Sequence, residues 1–264
     1  MTDILLTNDD GYKSAGFLPL LKELSKEFSV VAVTPDREKS WIGKAITTKK
    51  VLKVKKVKRD GFEIATTNGT PADCVQIGLY NILDSFPKIV VSGINQGANV
   101  GHARILSSGT VGAAMEASIE GVKALASSLR IPGEIKKTLN LFDKKNYTVF
   151  ENPAKITAKL VKILIDKKFD DDVDLFSVNM PYDVSSDAEI EITKPFKEAY
   201  GKLFYEKEDG LLLRTPSLDF RNLKDGIDLK AIYEGKISVT PISLALFNES
   251  SIKKLEQIIK KEWH

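Results

Sequence analysis

The chain has one cysteine, Cys74, and two histidines, His102 and His264, among 264 residues. A lone cysteine closes no internal disulfide, which fits a reducing compartment. The absence of an H-E-x-x-H segment, a cysteine cluster and a G-x-S-x-G elbow argues against zinc proteases and serine hydrolases. No window approaches the ~18 consecutive apolar residues that span a bilayer. Met1-Thr2-Asp3 carries neither a basic leader nor a signal core. The expectation is a cytoplasmic protein with no membrane partner. A surplus of one charge is also missing, since 39 basic and 36 acidic residues leave +3. A dedicated nucleic-acid binder shows a strong basic excess, so a nucleic-acid duplex is not an expected partner. No internal repeat or low-complexity linker interrupts the chain.

What is present is ordinary in bulk, with 42% hydrophobic and 28% charged residues. The length suits one large domain, or one domain with an appendage. An apolar run, Ile4-Leu5-Leu6, leads into Thr7-Asn8-Asp9-Asp10-Gly11 and reads as a buried first strand. Residues 15–27 carry Phe17, Leu20, Leu21 and Leu24 at helical spacing, with Pro19 in the first turn. Phe28 to Thr34 follows as a second strand, closed by Pro35. Strand, helix and strand in that order form a βαβ unit with a right-handed crossover. Residues 35–47 form a polar loop with Arg37, Ser40, Gly43 and Thr47. Residues 49–58 place six lysines among four apolar residues, which reads either as a nucleic-acid or membrane-surface patch or, favoured by the small net charge, as a half-exposed edge strand with a lysine wet side. Asp60-Gly61 is a hairpin turn before a return strand, Phe62 to Thr67.

Pro71 opens a helix to about Leu83, with Thr70 or Gly69 near its N-cap and Cys74 as a small core residue. Lys88 to Ser92 is a strand running into the glycine-rich loop Gly93 to Gly101. A helix from about Val111 to Glu120 and a strand from Val122 to Ser127 follow. The pattern is α/β, a Rossmann-like doubly wound and mostly parallel sheet. Pro153 to Lys167 is an amphipathic helix, and Asp174 to Val178 a further strand. The texture changes near residue 183. Glu189 to Thr193 alternates, and Glu208-Asp209-Gly210 separates Leu203-Phe204-Tyr205 from Leu211-Leu212-Leu213, so both stretches read as hairpins. A short helix over Asp228 to Glu234, a strand over Lys236 to Pro241 returning to the core, and a terminal helix over Glu249 to Lys261 complete the chain. The division expected is a catalytic core, 1–182, and a hairpin-and-helix arm, 183–264. That arm has too little core to stand alone, so it is expected to pack on a partner subunit. His264, the last residue, is expected to be disordered.

Three features carry chemistry. Asp9 and Asp10 sit where ligands gather on an open parallel sheet, and two adjacent carboxylates repel unless a cation joins them. They read either as a magnesium-type site or as an Asp-Gly turn. The loop from Gly93 to Gly101 matches neither the dinucleotide fingerprint nor the Walker pattern. It offers Ser92, Asn95 and Asn99 to a hard cation or a phosphate, or it is a flexible loop with asparagines in turns. Ser108-Gly109-Thr110 opens a helix and is either a phosphate seat or plain N-capping. His102 could assist as an acid or be incidental.

Together these residues resemble the SurE-type survival proteins, a family of metal-dependent nucleoside monophosphate phosphatases. The resemblance lies in Thr7-Asn8-Asp9-Asp10-Gly11, Pro35-Asp36-Arg37-Glu38-Lys39-Ser40, Gly69-Thr70-Pro71-Ala72-Asp73-Cys74-Val75, and Ser92-Gly93-Ile94-Asn95 continuing to Ser108-Gly109-Thr110-Val111-Gly112-Ala113-Ala114, with a weaker Ser238-Val239-Thr240-Pro241. It is continuous from residue 3 to about 128. It implies that Asp9, Asp10, Ser40 and Asn95 hold one divalent cation per subunit, magnesium or manganese. It further implies a phosphate site from Asn99, Ser108, Gly109 and Thr110, and dimers or tetramers built with the C-terminal arm. Departures from the family pattern are Trp41 and Lys44, Ser107, the triplet His102-Ala103-Arg104, and a loop from Asn99 to Ser108 that is one residue longer. They bear on base preference and loop geometry rather than on the metal.

The chemistry expected is hydrolysis of a 5′- or 3′-nucleoside monophosphate to nucleoside and phosphate by a metal-activated water, which Asp9 or Asp10 orients or deprotonates. An aspartyl-phosphate route is the chemical alternative. The rival classes are a receiver-like signalling module and a non-catalytic nucleotide- or phosphate-binding module. The first needs an acid at the end of a middle strand, where this chain has Gly93-Ile94-Asn95.

Overall fold

The computed structural model describes residues 2–169, 172–197, 199–214, 218–221 and 223–263; His264 lies outside the described residues. The first strand, β1 (Ile4–Thr7), is buried along its whole length. Its side chains alternate between two cores, with Ile4 and Leu6 in one and Leu5 in the other. A strand covered on both faces needs apolar residues at every position, which is why this one reads as an unbroken run.

One core is closed by α1 (Phe17–Leu24). The chain then forms β2 (Val30–Pro35), the hairpin β3 (Val54–Arg59) and β4 (Phe62–Thr67), and α2 (Pro71–Ile77). Thr70 caps α2 by accepting from the Asp73 amide at 3.1 Å, while Asp73 accepts from the Thr70 amide at 2.7 Å. A wider π-type turn, Gly78–Ile82, carries that helix onward to β5 (Ile89–Asn95). Next come α3 (Gly101–Ser107), α4 (Gly109–Ile119), β6 (Ala124–Leu129), α5 (Gly133–Thr138), α6 (Glu151–Leu164) and β7 (Leu175–Met180). Phe17, Leu20 and Leu24 of α1 share a core with Ile156 and Leu160 of α6 on one face of the sheet. Cys74 and Val75 of α2 meet Val111, Ala113 and Ala114 of α4 on the other. Helices on both faces make the sheet doubly wound.

The last segment adds β8 (Ile190–Ile192), the pair β9 (Phe204–Lys207) and β10 (Gly210–Leu213), α7 (Asp228–Tyr233), β11 (Ile237–Ile242) and α8 (Glu249–Glu262). The main sheet has nine strands in the order β3-β4-β2-β1-β5-β6-β7-β11-β8. All neighbours are parallel except β3 with β4 and β11 with β7. The chain leaves β1 toward β2 and returns on the other side at β5, so strand order reverses beside β1. That reversal opens the crevice in which such sheets bind ligands.

Several expectations needed correction. Glu189 to Thr193 is no hairpin: β8 runs parallel to β11 at the sheet edge, with Ser238 opposite Glu191. Alternation marks a half-exposed strand and does not say which neighbour it joins. Residues 101–107 are helical, not loop, and most other element ends differ by one to three residues, within the range where ends fray. The lysine-rich stretch is an exposed outer strand only from Val54 onward, as β3, while residues 49–53 precede it outside any strand. Asp60 and Gly61 join it to β4 with φ of 48° and 88°, the left-handed pair that a tight hairpin requires. The hairpin over 204–213 also stands as read, with Lys207 opposite Gly210, and forms a separate two-stranded sheet.

Candidate active site

The turn after β1 is locked by its own side chain. Asn8 Nδ2 donates to the Gly11 carbonyl at 3.0 Å, and the Gly11 amide donates back to Asn8 Oδ1 at 3.1 Å. Gly11 has φ of 83°, a conformation natural to glycine. The loop after β2 is drawn alongside by the Lys39 amide, which donates to the Asp9 carbonyl at 2.8 Å. These bonds fix Asp9 and Asp10 at the end of β1, 5% and 7% exposed.

The two carboxylates have different surroundings. Thr110 Oγ donates to Asp9 Oδ1 at 2.6 Å, and the Thr110 main-chain amide also favours that carboxylate. Asp10 Oδ2 accepts the Gln96 amide at 3.2 Å. Burial raises the Asp9 pKa to about 6, against the bonds from Thr110 that hold it down. Burial, then the charge of Asp9, then that of Glu38, push Asp10 well above the usual carboxylate range, and Lys136 opposes them. Among the described residues, no lysine or arginine forms an ion pair with either carboxylate.

Six of the residues singled out in the sequence line one cavity of ≈ 180 Å³: Asp9, Asp10, Ser40, Asn95, Asn99 and Ser108. Ser40, on an exposed stretch of loop, donates to Glu38 Oε1. Asn95 donates through Nδ2 to the Gly97 carbonyl at 2.7 Å, and its Oδ1 remains a neutral acceptor. Asn99 is held from two sides. Its amide donates to Asn179 Oδ1 at 2.7 Å, and its Nδ2 donates to Ser128 Oγ at 2.9 Å, which leaves the second Nδ2 hydrogen unspent.

Ser108 accepts the Val111 amide at 3.1 Å as an N-cap and keeps its own hydroxyl hydrogen to donate. Capping and anion contact are therefore compatible at this residue. Gly109 and Thr110 lie behind it, against Asp9. A Cβ on Gly109 would stand 2.8 Å from the Asp9 Cβ and 2.9 Å from Ile42 Cγ2, so only glycine lets α4 approach so closely. The side chain of Thr110 is directed to Asp9, not to an open phosphate seat. The positive end of α4 thus serves Asp9 first.

The remaining sequence candidates separate. His102 is exposed and lines an apolar groove with Leu106 and Met115, apart from the acidic cavity. Lys44 is an ion-pair partner of the buried Glu116. Cys74 is free and buried, and desolvation raises its thiol pKa, as befits a core residue. The cavity also holds residues that sequence reasoning missed. Lys136 of α5 reaches it and donates to the Gln96 carbonyl at 2.8 Å, from a charged stretch with no readable periodicity. Gln96 Nε2 in turn donates to Ser14 Oγ at 2.7 Å and to the Leu141 carbonyl at 3.2 Å. Arg104 lines the wall.

The donors suit a hard divalent cation. Among the described residues no group of three or more His, Cys, Asp and Glu gathers, so any cation here would draw on neutral oxygens beside the two carboxylates. Two buried carboxylates with neutral hydroxyl and amide oxygens form the oxygen set that magnesium and manganese prefer.

The family described as "Survival protein SurE" matches residues 4–202. The chain belongs to the SurE family. A 5'-nucleotidase SurE of Methanococcus vannielii is 36% identical over 271 residues, covering 99% of each chain. One of Methanococcoides burtonii is 32% identical over 266 residues, covering 97% of this chain and 98% of its own. The crystal structure of the SurE protein from Aquifex aeolicus superposes with a TM-score of 0.79 at 32% identity, covering 97% of this chain and 99% of that one. Membership of this family makes the chain a hydrolase of the nucleotidase and phosphatase type. Among the described residues no helix is long and apolar enough to cross a membrane.

Proposed function

We propose that this protein hydrolyses nucleoside monophosphates to nucleoside and phosphate, with one divalent cation, magnesium or manganese, held in each subunit by Asp9, Asp10, Ser40 and Asn95. The observation that carries the reading is the pair of buried carboxylates at the reversal of strand order, with no side chain ion-paired to either among the described residues. The bound cation would supply Lewis acidity, stabilising charge on a phosphate oxygen and lowering the pKa of an adjacent water. The chain's own groups do the rest. Asp9 or Asp10 orients or deprotonates the attacking water. Thr110 and Gly109 keep Asp9 in place. Ser108 and the second Nδ2 hydrogen of Asn99 orient the phosphate, and the Lys136 ammonium offsets its charge. The names of the relatives favour the 5′ ester.

The same reading takes residues 1–182 as the catalytic core and 183–264 as an arm through which copies associate as a dimer or tetramer. Support for that comes from Leu211, Leu212 and the apolar side of α8, all exposed in the single chain. The decisive assay is phosphate release from 5′- and 3′-monophosphates with manganese and then with chelator, in wild type and Asp10→Asn. Metal-dependent release in wild type alone supports the proposal. No release in wild type, or undiminished release in the variant, contradicts it.

A further inference from the structure

Trp41 is in a conformation that its type rarely adopts. Its φ is +61°, in the left-handed region that bulky side chains populate sparsely and keep only where the surroundings over-determine it. The surroundings here do. The Trp41 ring lies against Tyr200, with centroids 5.1 Å apart and planes at 47°. Tyr200 is anchored in turn through its hydroxyl to the Ala103 carbonyl and to Ser107. The loop itself is tied to α3 by the Gly43 amide, which donates to the Ser107 carbonyl at 2.9 Å.

An indole held this firmly would ordinarily be sunk in the core. This one stays 37% exposed, and it lines the same cavity as Asp9 and Asp10. That cavity, ≈ 180 Å³, is smaller than the ~300 Å³ at which pockets begin to enclose a drug-sized ligand. On the nucleotide reading, a cavity of that size holds the phosphate group and leaves the base outside it. A rigid, half-exposed aromatic ring in the lining of that cavity offers a flat apolar surface beside a polar and charged hole.

We propose that Trp41, backed by Tyr200, is the platform on which the nucleobase of the substrate stacks. The proposal rests on the nucleotide reading above and adds to it the residue that recognises the base. Stacking is tolerant of base identity because every base presents a π face. The platform therefore selects nucleotides over phosphate esters that lack an aromatic group, and favours the larger purines over pyrimidines.

The test uses full-length protein in a Trp263→Phe background, which leaves Trp41 as the sole tryptophan. Adenosine 5′-monophosphate quenches Trp41 fluorescence on binding. In Trp41→Leu, the ratio of kcat/KM for that nucleotide to kcat/KM for ribose 5-phosphate falls about tenfold, through KM. Trp41→Phe restores most of the ratio, which a merely structural role would not produce. An unchanged ratio in Trp41→Leu, or no quenching at saturating nucleotide, overturns the proposal. Quenching without hydrolysis of any ester supports the platform and contradicts the hydrolase reading. Neither quenching nor hydrolysis overturns both.

Discussion

At the centre of the sheet, Asp9 and Asp10 are charged groups buried among protein atoms. Elsewhere, Leu211 and Leu212 of the β9–β10 hairpin, and Leu255 and Ile258 of α8, are apolar groups left in water. Each region violates the usual sorting of side chains, in opposite directions. A buried pair of like charges calls for an opposite charge, and exposed apolar rows call for another surface. On the proposed function, the contrast separates chemistry from assembly. The first region is built from residues far apart in sequence and fixed by hydrogen bonds. The second is built from local, regular elements, a hairpin and a helix.

The largest effect expected is on turnover. Asp10→Asn should lower metal-dependent phosphate release by about a thousandfold or more, in the range typical of losing a group that stabilises charge in the transition state. Steady-state kinetics would check it. The same variant should melt at a higher temperature than wild type in chelator, because it removes half of the buried repulsion. A lower melting temperature there would mean that the carboxylates are structurally paired after all.

The second expectation concerns pH. The folded pKa of Asp9 is raised to about 6, and burial raises that of Asp10 well above its unfolded value too. Stability linked to these protons is complete below the unfolded pKa near ~4 and is lost as pH rises through the folded values. For Asp9 alone the loss is about 3 kcal/mol. Metal-free protein should therefore melt lower at pH 8 than at pH 5, and manganese should raise the melting temperature more at pH 8. A cation effect that is equal at both pH values would break the link between the buried acids and the metal.

On the other side of the comparison, Leu255→Glu with Ile258→Glu on α8 should shift the protein to a smaller species. Sedimentation or light scattering would show the change, with the fold of the core intact by circular dichroism. A monomeric wild type would remove the assembly half of the contrast. The smallest effect expected is at Lys136. Lys136→Ala should raise KM for nucleotide by roughly tenfold at low salt, and by less at high salt as screening replaces the ammonium. A salt-independent loss would mark Lys136 as a holder of the Gln96 loop instead.

The two regions also differed in how legible they were. β1 and its acids stood out because an apolar run buried on both faces ends in two carboxylates. The hairpin over 204–213 stood out because its turn chemistry and flanking residues are adjacent in sequence. The role of Thr110 was hidden, since an N-cap, an anion seat and a carboxylate holder all use the same residue types. Lys136 was hidden more deeply. It sits on the six-residue α5, too short to show a period, and only the tertiary fold brings it to Asp10. β8 was misjudged because alternation reports exposure and says nothing of the neighbouring strand.

The central claim is that Asp9 and Asp10 form one cation site. Calorimetric titration of manganese into chelator-stripped protein at near-neutral pH tests it most directly, in buffers of different ionisation enthalpy so that proton release can be counted. The account predicts one cation bound per subunit in wild type, with net release of protons from the buried carboxylates, and no comparable binding in Asp10→Asn. Absence of binding in wild type, or equal binding in the variant, would contradict it.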